Sequence, residues 1–267
     1  MSQLKKAIQK AVSVTGYELV NKSLAQKARD LPPALNLYNY LPFEKQKLIA
    51  QWLPYSQSQL AQDLFVLSEL NDCSHENYFV EFGATDGLSL SNTHLLETKL
   101  GWQGVLAEPA KIWHKKLEAY RSCAIDTRCV YSESGKRLDF VEVGEEVKGG
   151  IAELSSLIEC SDNGDWASKI RKSSRNIYEV ETISLNDLLA EYKSPSIMSY
   201  LSIDTEGSEL SVLRALDFSK YKFRVITVEH NYSKEYRGDI KCLLESNGYI
   251  RKYEHLSCWD DWYILRS

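Results

Sequence analysis

Residues 78–87 read Tyr-Phe-Val-Glu-Phe-Gly-Ala-Thr-Asp-Gly (YFVEFGATDG), and this stretch decides the fold. The apolar run has the composition of a buried strand. It is broken by one carboxylate, Glu81, and stops at a turn holding two glycines and Asp86. A carboxylate near the end of a buried strand is unfavourable unless a cation or hydrogen-bond donors meet it. Downstream, Leu90 to Leu100 reads as a helix and Gly104 to Ala107 as a second strand ended by Pro109. KIWHKKLEAY (111–120) reads as a helix and CAIDTRCVYS (123–132) as a third strand. Further on come SLNDLLAEY (184–192), with Ser184 and Asp187 at capping-box spacing, and the most apolar strand, in IMSYLSIDTEGSE (197–209). FRVITVEHNY (223–232) is another strand, GDIKCLLESNGY (238–249) a helix closed by Gly248, and the tail to Leu265 an aromatic-rich pair of strands. Short buried strands alternating with helices predict an α/β fold with a mostly parallel sheet covered on both faces.

Working outward, the 267 residues, 43% of them hydrophobic, suffice for one α/β domain with an appendage. Residues 1–70 read as an N-terminal helical segment. Pro32-Pro33 and Pro54 mark a hinge region, and Leu60, Leu64 and Leu67 fall at helical spacing. Residues 71–267 form the main domain, with 133–181 a polar insertion expected to act as a substrate loop, part of it a hairpin at KRLDFVEV. The start is basic. Leu4, Ile8, Ala11 and Val12 fall on one helical face opposite lysines, the pattern of a helix that contacts a membrane surface or packs on its own domain.

The net charge of −5 and pI near 5.7 argue against a nucleic-acid partner, because phosphate backbones select basic faces. Six scattered cysteines form no C-x-x-C pair, which argues against a zinc site and a disulfide scaffold. No run approaches the roughly 18 apolar residues a membrane helix needs, and the start lacks a signal-peptide core. The expected location is therefore the cytoplasm.

The crevice at the carboxyl ends of a parallel sheet is the usual ligand site. A dinucleotide fold wants G-x-G-x-x-G, yet Thr85 stands at the second glycine position and Asp86 would repel a pyrophosphate. A phosphate-free cation fits better. S-adenosylmethionine carries a sulfonium and an ammonium; Glu81 can meet the ammonium, Gly83 allows a tight turn against the ligand, and Glu108 ends the second strand where an acid bonds ribose hydroxyls. Bonding of Glu81 to backbone amides is the competing account.

The later strands add acids. Asp204, Glu206 and Glu209 surround one turn, and the next strand ends Val-Glu229-His230-Asn231. So many carboxyls call for a metal, a cation or a proton. Asp204, Glu229 and His230 offer a ligand set suited to Mg²⁺ or Mn²⁺. His230 reads as a metal ligand, a general base or a packed histidine, and Glu209 as a favourable charge at a helix N-terminus. Trp259 and Trp262 read as a sugar-binding wall or as core.

FVEFGATDGLSLSNTHLLETKLGWQGVLAEP, followed by IDTEGSE and VEHN, resembles the FkbM-type family of S-adenosylmethionine-dependent methyltransferases over roughly residues 56–265. D-x-E-G-x-E, here Asp204, Glu206, Gly207 and Glu209, carries the specific part of the likeness. TGYELV near the start looks similar to members found beside polysaccharide-assembly enzymes. The resemblance implies a Rossmann-like class I methyltransferase sheet with an antiparallel last strand, and O-methylation of a hydroxyl on a sugar or polysaccharide, or on a polyketide-type molecule. It implies a cofactor set of Glu81, Gly83, Ala84, Asp86, Asn92, Glu108, Pro109 and Asp204, and catalytic roles for His230, Asp204 and Glu206. An inactive glycan- or partner-binding module and a nucleotide-dependent oxidoreductase are the competing classes.

Overall fold

The computed structural model describes residues 32–144, 152–160, 168–174, 176–232 and 234–266. The basic amphipathic start lies outside these residues, as do 145–151, 161–167 and 175 of the insertion.

Among the described residues, three helices lead in: α1 (Pro33–Tyr40), α2 (Phe43–Ala50) and α3 (Gln62–Leu70). Strand β1 (Tyr78–Phe82) is followed by α4 (His94–Leu100), β2 (Gln103–Ala107), α5 (His114–Tyr120), β3 (Ala124–Asp126), β4 (Cys129–Tyr131), β5 (Arg137–Glu142), β6 (Ser156–Leu157) and α6 (Ser168–Ser173). The remainder is β7 (Asn176–Ser184), α7 (Leu185–Glu191), β8 (Ile197–Ile203), α8 (Glu209–Ala215), β9 (Lys222–Glu229), α9 (Lys234–Ser246), β10 (Tyr249–Lys252) and β11 (Asp260–Leu265).

Seven strands form one sheet in the order β10-β11-β9-β8-β1-β2-β3. The central pairings are parallel, and β11 runs antiparallel to both β9 and β10. This is the Rossmann-like methyltransferase sheet with an antiparallel last strand. Its apolar strands are buried on both faces because helices cover both. Val80, Phe82, Leu201, Ile203, Ile226 and Val228 face a core with α7, α8 and α9; Phe79, Leu106, Tyr200, Val225 and Trp262 face a second core that contains Leu37, Ile49, Leu64 and Phe65 of α1–α3. The N-terminal helices therefore complete the sheet's cover. Phe65 stacks on Trp262 at 4.6 Å between centroids.

One expectation is corrected. CAIDTRCVYS does not form one strand: Asp126 accepts from the Arg128 backbone N–H at 2.8 Å and from its guanidinium, making a turn that sends β3 to the main sheet and β4 to another. The described part of 133–181 contributes β5, β6 and most of β7 to a second sheet, β4-β7-β5-β6, in which β5, within KRLDFVEV, pairs antiparallel with β7 over six positions from Arg137↔Glu181 to Glu142↔Asn176. Among the described residues, no helix is long and apolar enough to cross a membrane.

Candidate active site

A cavity of about 470 Å³ opens above the carboxyl ends of β1, β2, β8 and β9, roofed by residues of the small sheet such as Phe140 and Leu157. Gly83 closes β1 with φ +71°, and a Cβ there would lie 1.9 Å from the Asp204 carbonyl oxygen. The glycine is thus required by the neighbouring strand end, which it lets close over the crevice.

Glu81 lies on the face of β1 that carries Phe79. Its carboxylate accepts from the Asn92 N–H at 2.7 Å, the Thr93 hydroxyl at 2.5 Å and the Ser91 hydroxyl at 3.1 Å. The Arg121 guanidinium, fully buried, sits 3.5 Å away and also binds Glu97 at 2.5 Å. Glu81 lines the cavity, but the cation that answers it is Arg121, a residue of the protein. Gly87, also at positive φ, leaves the space in which Arg121 runs; a Cβ would come within 2.7 Å of its Cγ.

Asp86 is corrected: it accepts from the Leu88 and Ser89 N–H groups at 2.9 and 2.7 Å, an Asx turn that shapes the loop. Ala84 packs into the core beside α3. Neither contributes to the cavity wall, whereas Gly83, Asn92, Glu108, Pro109 and Asp204 do. The Asn92 amide nitrogen donates to Ser202 at 2.9 Å, while its buried Oδ1 has no partner. Glu108 accepts one backbone N–H on each oxygen, from Thr85 and Ala110, both at 2.8 Å. Burial nevertheless pushes its carboxyl up to about 7.

The D-x-E-G-x-E turn follows β8. Glu209 accepts from the N–H groups of Thr205 and Gly207 at 2.9 and 3.0 Å and from the Tyr236 hydroxyl, so its role is to fold the turn. Asp204, Glu206 and Glu229 are left facing the cavity, with one oxygen of each within 4.8 Å of the others. Burial pushes Asp204 up to about 6, its hydrogen bond with Glu229 opposing the shift; Glu229 is raised further by burial and by the Asp204 charge. The two carboxyls therefore titrate together and not independently. Arg171 of α6 reaches Glu206 at 3.2 Å.

His230 is corrected. It is 2% exposed, does not line the cavity, and has both ring nitrogens engaged: Nδ1 accepts from the Tyr232 N–H at 3.0 Å and Nε2 lies 3.1 Å from the Asp260 carbonyl oxygen. Because Nδ1 accepts, the ring is neutral with its proton on Nε2, in keeping with burial lowering its pKa. It is neither a base toward the cavity nor a ligand, and Glu206 takes its place in the oxygen cluster.

Sequence reasoning missed Arg121, Gln62 and Tyr232. Gln62, at the start of α3, lines the cavity and donates to Asp260 at 2.8 Å. Backbone strain gathers here. Thr85, Leu90, Glu206, Asn231 and Tyr232 line the cavity at positive φ between 46 and 62°, a conformation that costs each non-glycine residue about 1–2 kcal/mol and persists where the surroundings enforce it.

The family model of the Methyltransferase FkbM domain matches residues 81–253, more than half of the chain. The chain belongs to the FkbM methyltransferase family. It is also similar to the crystal structure of Methyltransferase FkbM from Methylobacillus flagellatus KT, at 15% identity and a TM-score of 0.47, over 90% of this chain and 60% of that one. No curated protein matches it. In this FkbM methyltransferase, the matched segment ends before β11, so Gln62 and Asp260 meet at the crevice from the two flanks of the family domain.

Proposed function

We propose that the chain is an S-adenosylmethionine-dependent O-methyltransferase whose acceptor is a hydroxyl of a sugar, in glycan or polysaccharide synthesis. The observation that carries the reading is the placement of Asp204 and Glu229, with carboxylate oxygens within 4.8 Å of each other, on the wall of a cavity at the carboxyl ends of parallel strands. The residues fit the cofactor. Asn92 Oδ1 is a buried acceptor without a partner, suited to an ammonium, and each Glu108 oxygen keeps an acceptor site for a ribose hydroxyl beyond its one backbone bond. Trp113, Val130 and Phe140 give an apolar wall that a purine would cover. The volume lies within the range of small-molecule sites.

When bound, S-adenosylmethionine supplies a methyl group made electrophilic by its sulfonium. The protein's own part is to hold the acceptor hydroxyl in line and to receive its proton. Asp204, whose carboxyl burial raises to about 6, is the base, and Glu229, raised further by burial and by the Asp204 charge, is its neutral partner. Most of the acceleration comes from positioning. A divalent cation held by Asp204, Glu206 and Glu229 is the second reading, favoured by the closeness of their oxygens.

Calorimetry with S-adenosylhomocysteine and with NAD tests the cofactor. Micromolar binding of the first and none of the second supports the reading; the reverse defeats it. Asp204→Asn should abolish methyl transfer while leaving S-adenosylhomocysteine affinity largely intact, and unchanged turnover would remove Asp204 from the mechanism. Mass spectrometry of surface glycans with and without the protein identifies the acceptor.

A further inference from the structure

His230 has no chemistry in the cavity, yet three hydrogen bonds converge on it. Its backbone N–H donates to the Trp259 carbonyl at 2.9 Å, its Nδ1 accepts from the Tyr232 N–H at 3.0 Å, and its Nε2 lies 3.1 Å from the Asp260 carbonyl oxygen. The imidazole also meets the Tyr232 ring edge-on, at 5.9 Å and 75°. The histidine thus fixes the backbone on both sides of the cavity mouth, where Tyr232 and Trp259 stand.

Tyr232 is held unusually. It follows Asn231, and both are left-handed, at φ 46 and 60°. Asparagine tolerates that region, a bulky tyrosine does not, and Tyr232 stands there with its ring 64% exposed at the rim. A ring presented to solvent by a strained, buried support at a cavity mouth is a contact surface awaiting a ligand. Below it the floor is acidic, with Asp204, Glu206 and Glu229.

We infer that Tyr232, fixed by His230 and flanked by Trp259, is the acceptor subsite: a platform for the C–H face of an uncharged or amino-bearing sugar ring, which the carboxyl floor allows and an anionic sugar does not satisfy. This rests on the methyl-transfer reading for its purpose. It assigns His230 as a positioning residue and Tyr232 as the residue that selects the ring.

Saturation-transfer NMR tests it with four probes: a methyl hexoside, a methyl 6-deoxyhexoside, a methyl 2-amino-hexoside and a methyl glucuronide, each with and without S-adenosylhomocysteine. The expected result is transfer to the ring C–H protons of at least one uncharged or amino glycoside and none to the glucuronide. Tyr232→Ala should weaken that binding by about tenfold, the loss of one ring's contact, while Tyr232→Phe keeps it. His230→Leu should reproduce the Tyr232→Ala loss. His230→Asn, whose Oδ1 can replace Nδ1 as acceptor, should restore binding. S-adenosylhomocysteine affinity should be equal in all four variants. Transfer to none of the glycosides, equal transfer to the glucuronide, or binding that survives Tyr232→Ala overturns the inference. Failure of the parent chain to bind S-adenosylhomocysteine defeats the methyl-transfer reading instead, and the measurements without it still judge the subsite.

Discussion

Replacing Arg121 with methionine should destabilise the protein severely without removing any group from the cavity wall. The guanidinium is fully buried between Glu81 and Glu97, and it also donates to the Gly87 carbonyl, the Ser91 hydroxyl and the Thr93 hydroxyl at 3.2, 3.1 and 2.8 Å. Methionine fills most of the volume but leaves two buried carboxylates without their cation. Removing one partner of a buried pair costs about 3–5 kcal/mol. Glu81 keeps the Asn92 N–H and Glu97 keeps the Ser122 and Cys123 N–H groups, which favours the lower end of that range. For a chain of this size the change corresponds to a fall in Tm of about 10 °C. Glu97 adds a pH signature. Burial pushes its carboxyl up, but the Arg121 charge and hydrogen bonds outweigh it and hold it below the ordinary value of 4.5. A depressed folded-state pKa contributes stability present above the unfolded value and lost as pH falls through the folded one. Arg121→Met should therefore flatten the acid limb of stability against pH. Urea unfolding across pH and thermal unfolding of the parent, Arg121→Met and the Arg121→Met/Glu81→Gln double variant measure the loss, its acid limb and the Tm; the second change should recover part of the loss, because neutral glutamine leaves one charge fewer unpaired. A Tm within about 2 °C of the parent, combined with lost S-adenosylhomocysteine binding, would refute the argument and return Glu81 to the ligand.

Other outcomes are expected elsewhere. Glu108, raised by burial to about 7, accepts from ribose hydroxyls most strongly on both oxygens as the carboxylate, so S-adenosylhomocysteine affinity should fall as pH drops below 7, and Glu108→Gln should remove that slope in calorimetry. The same raised pKa means that the folded state binds this proton more tightly than the unfolded one, so stability from this group declines as pH rises from 4.5 through about 7. Gly83→Ala should abolish soluble folded protein or shift β8 away from β1, since the added carbon meets a backbone oxygen at 1.9 Å; circular dichroism and thermal unfolding report which. If the Asp204–Glu229 pair is the base, methyl transfer should survive dialysis against EDTA, whereas loss restored by Mg²⁺ or Mn²⁺ would favour the metal reading.

The succession of strands and helices and the acids at the strand ends were legible because buried parallel strands read as short apolar runs and their carboxyl ends collect polar residues. The partner of Glu81 was not. Arg121 ends α5 and meets β1 only through tertiary packing, and nothing local distinguishes it from a solvated arginine. His230 misled for a related reason: a histidine at a strand end near a crevice looks chemical, and only the three-dimensional arrangement shows both its nitrogens turned to the backbone of β11 and the following loop. By contrast, two missed features had signals. Asp-Thr-Arg inside CAIDTRCVYS is an Asx turn, and the alternation in NIYEVETIS marks β7 with period two.

The family match opens inside β1 and closes before β11 begins. A fragment trimmed to those borders would split one strand, strip another from the sheet, and lose the helix whose aromatic ring lies on Trp262. Gene designs and chimeras that exchange specificity between relatives should therefore take cut points that keep α1–α3 and β11 with the sheet, because similarity and foldability mark different edges of this protein.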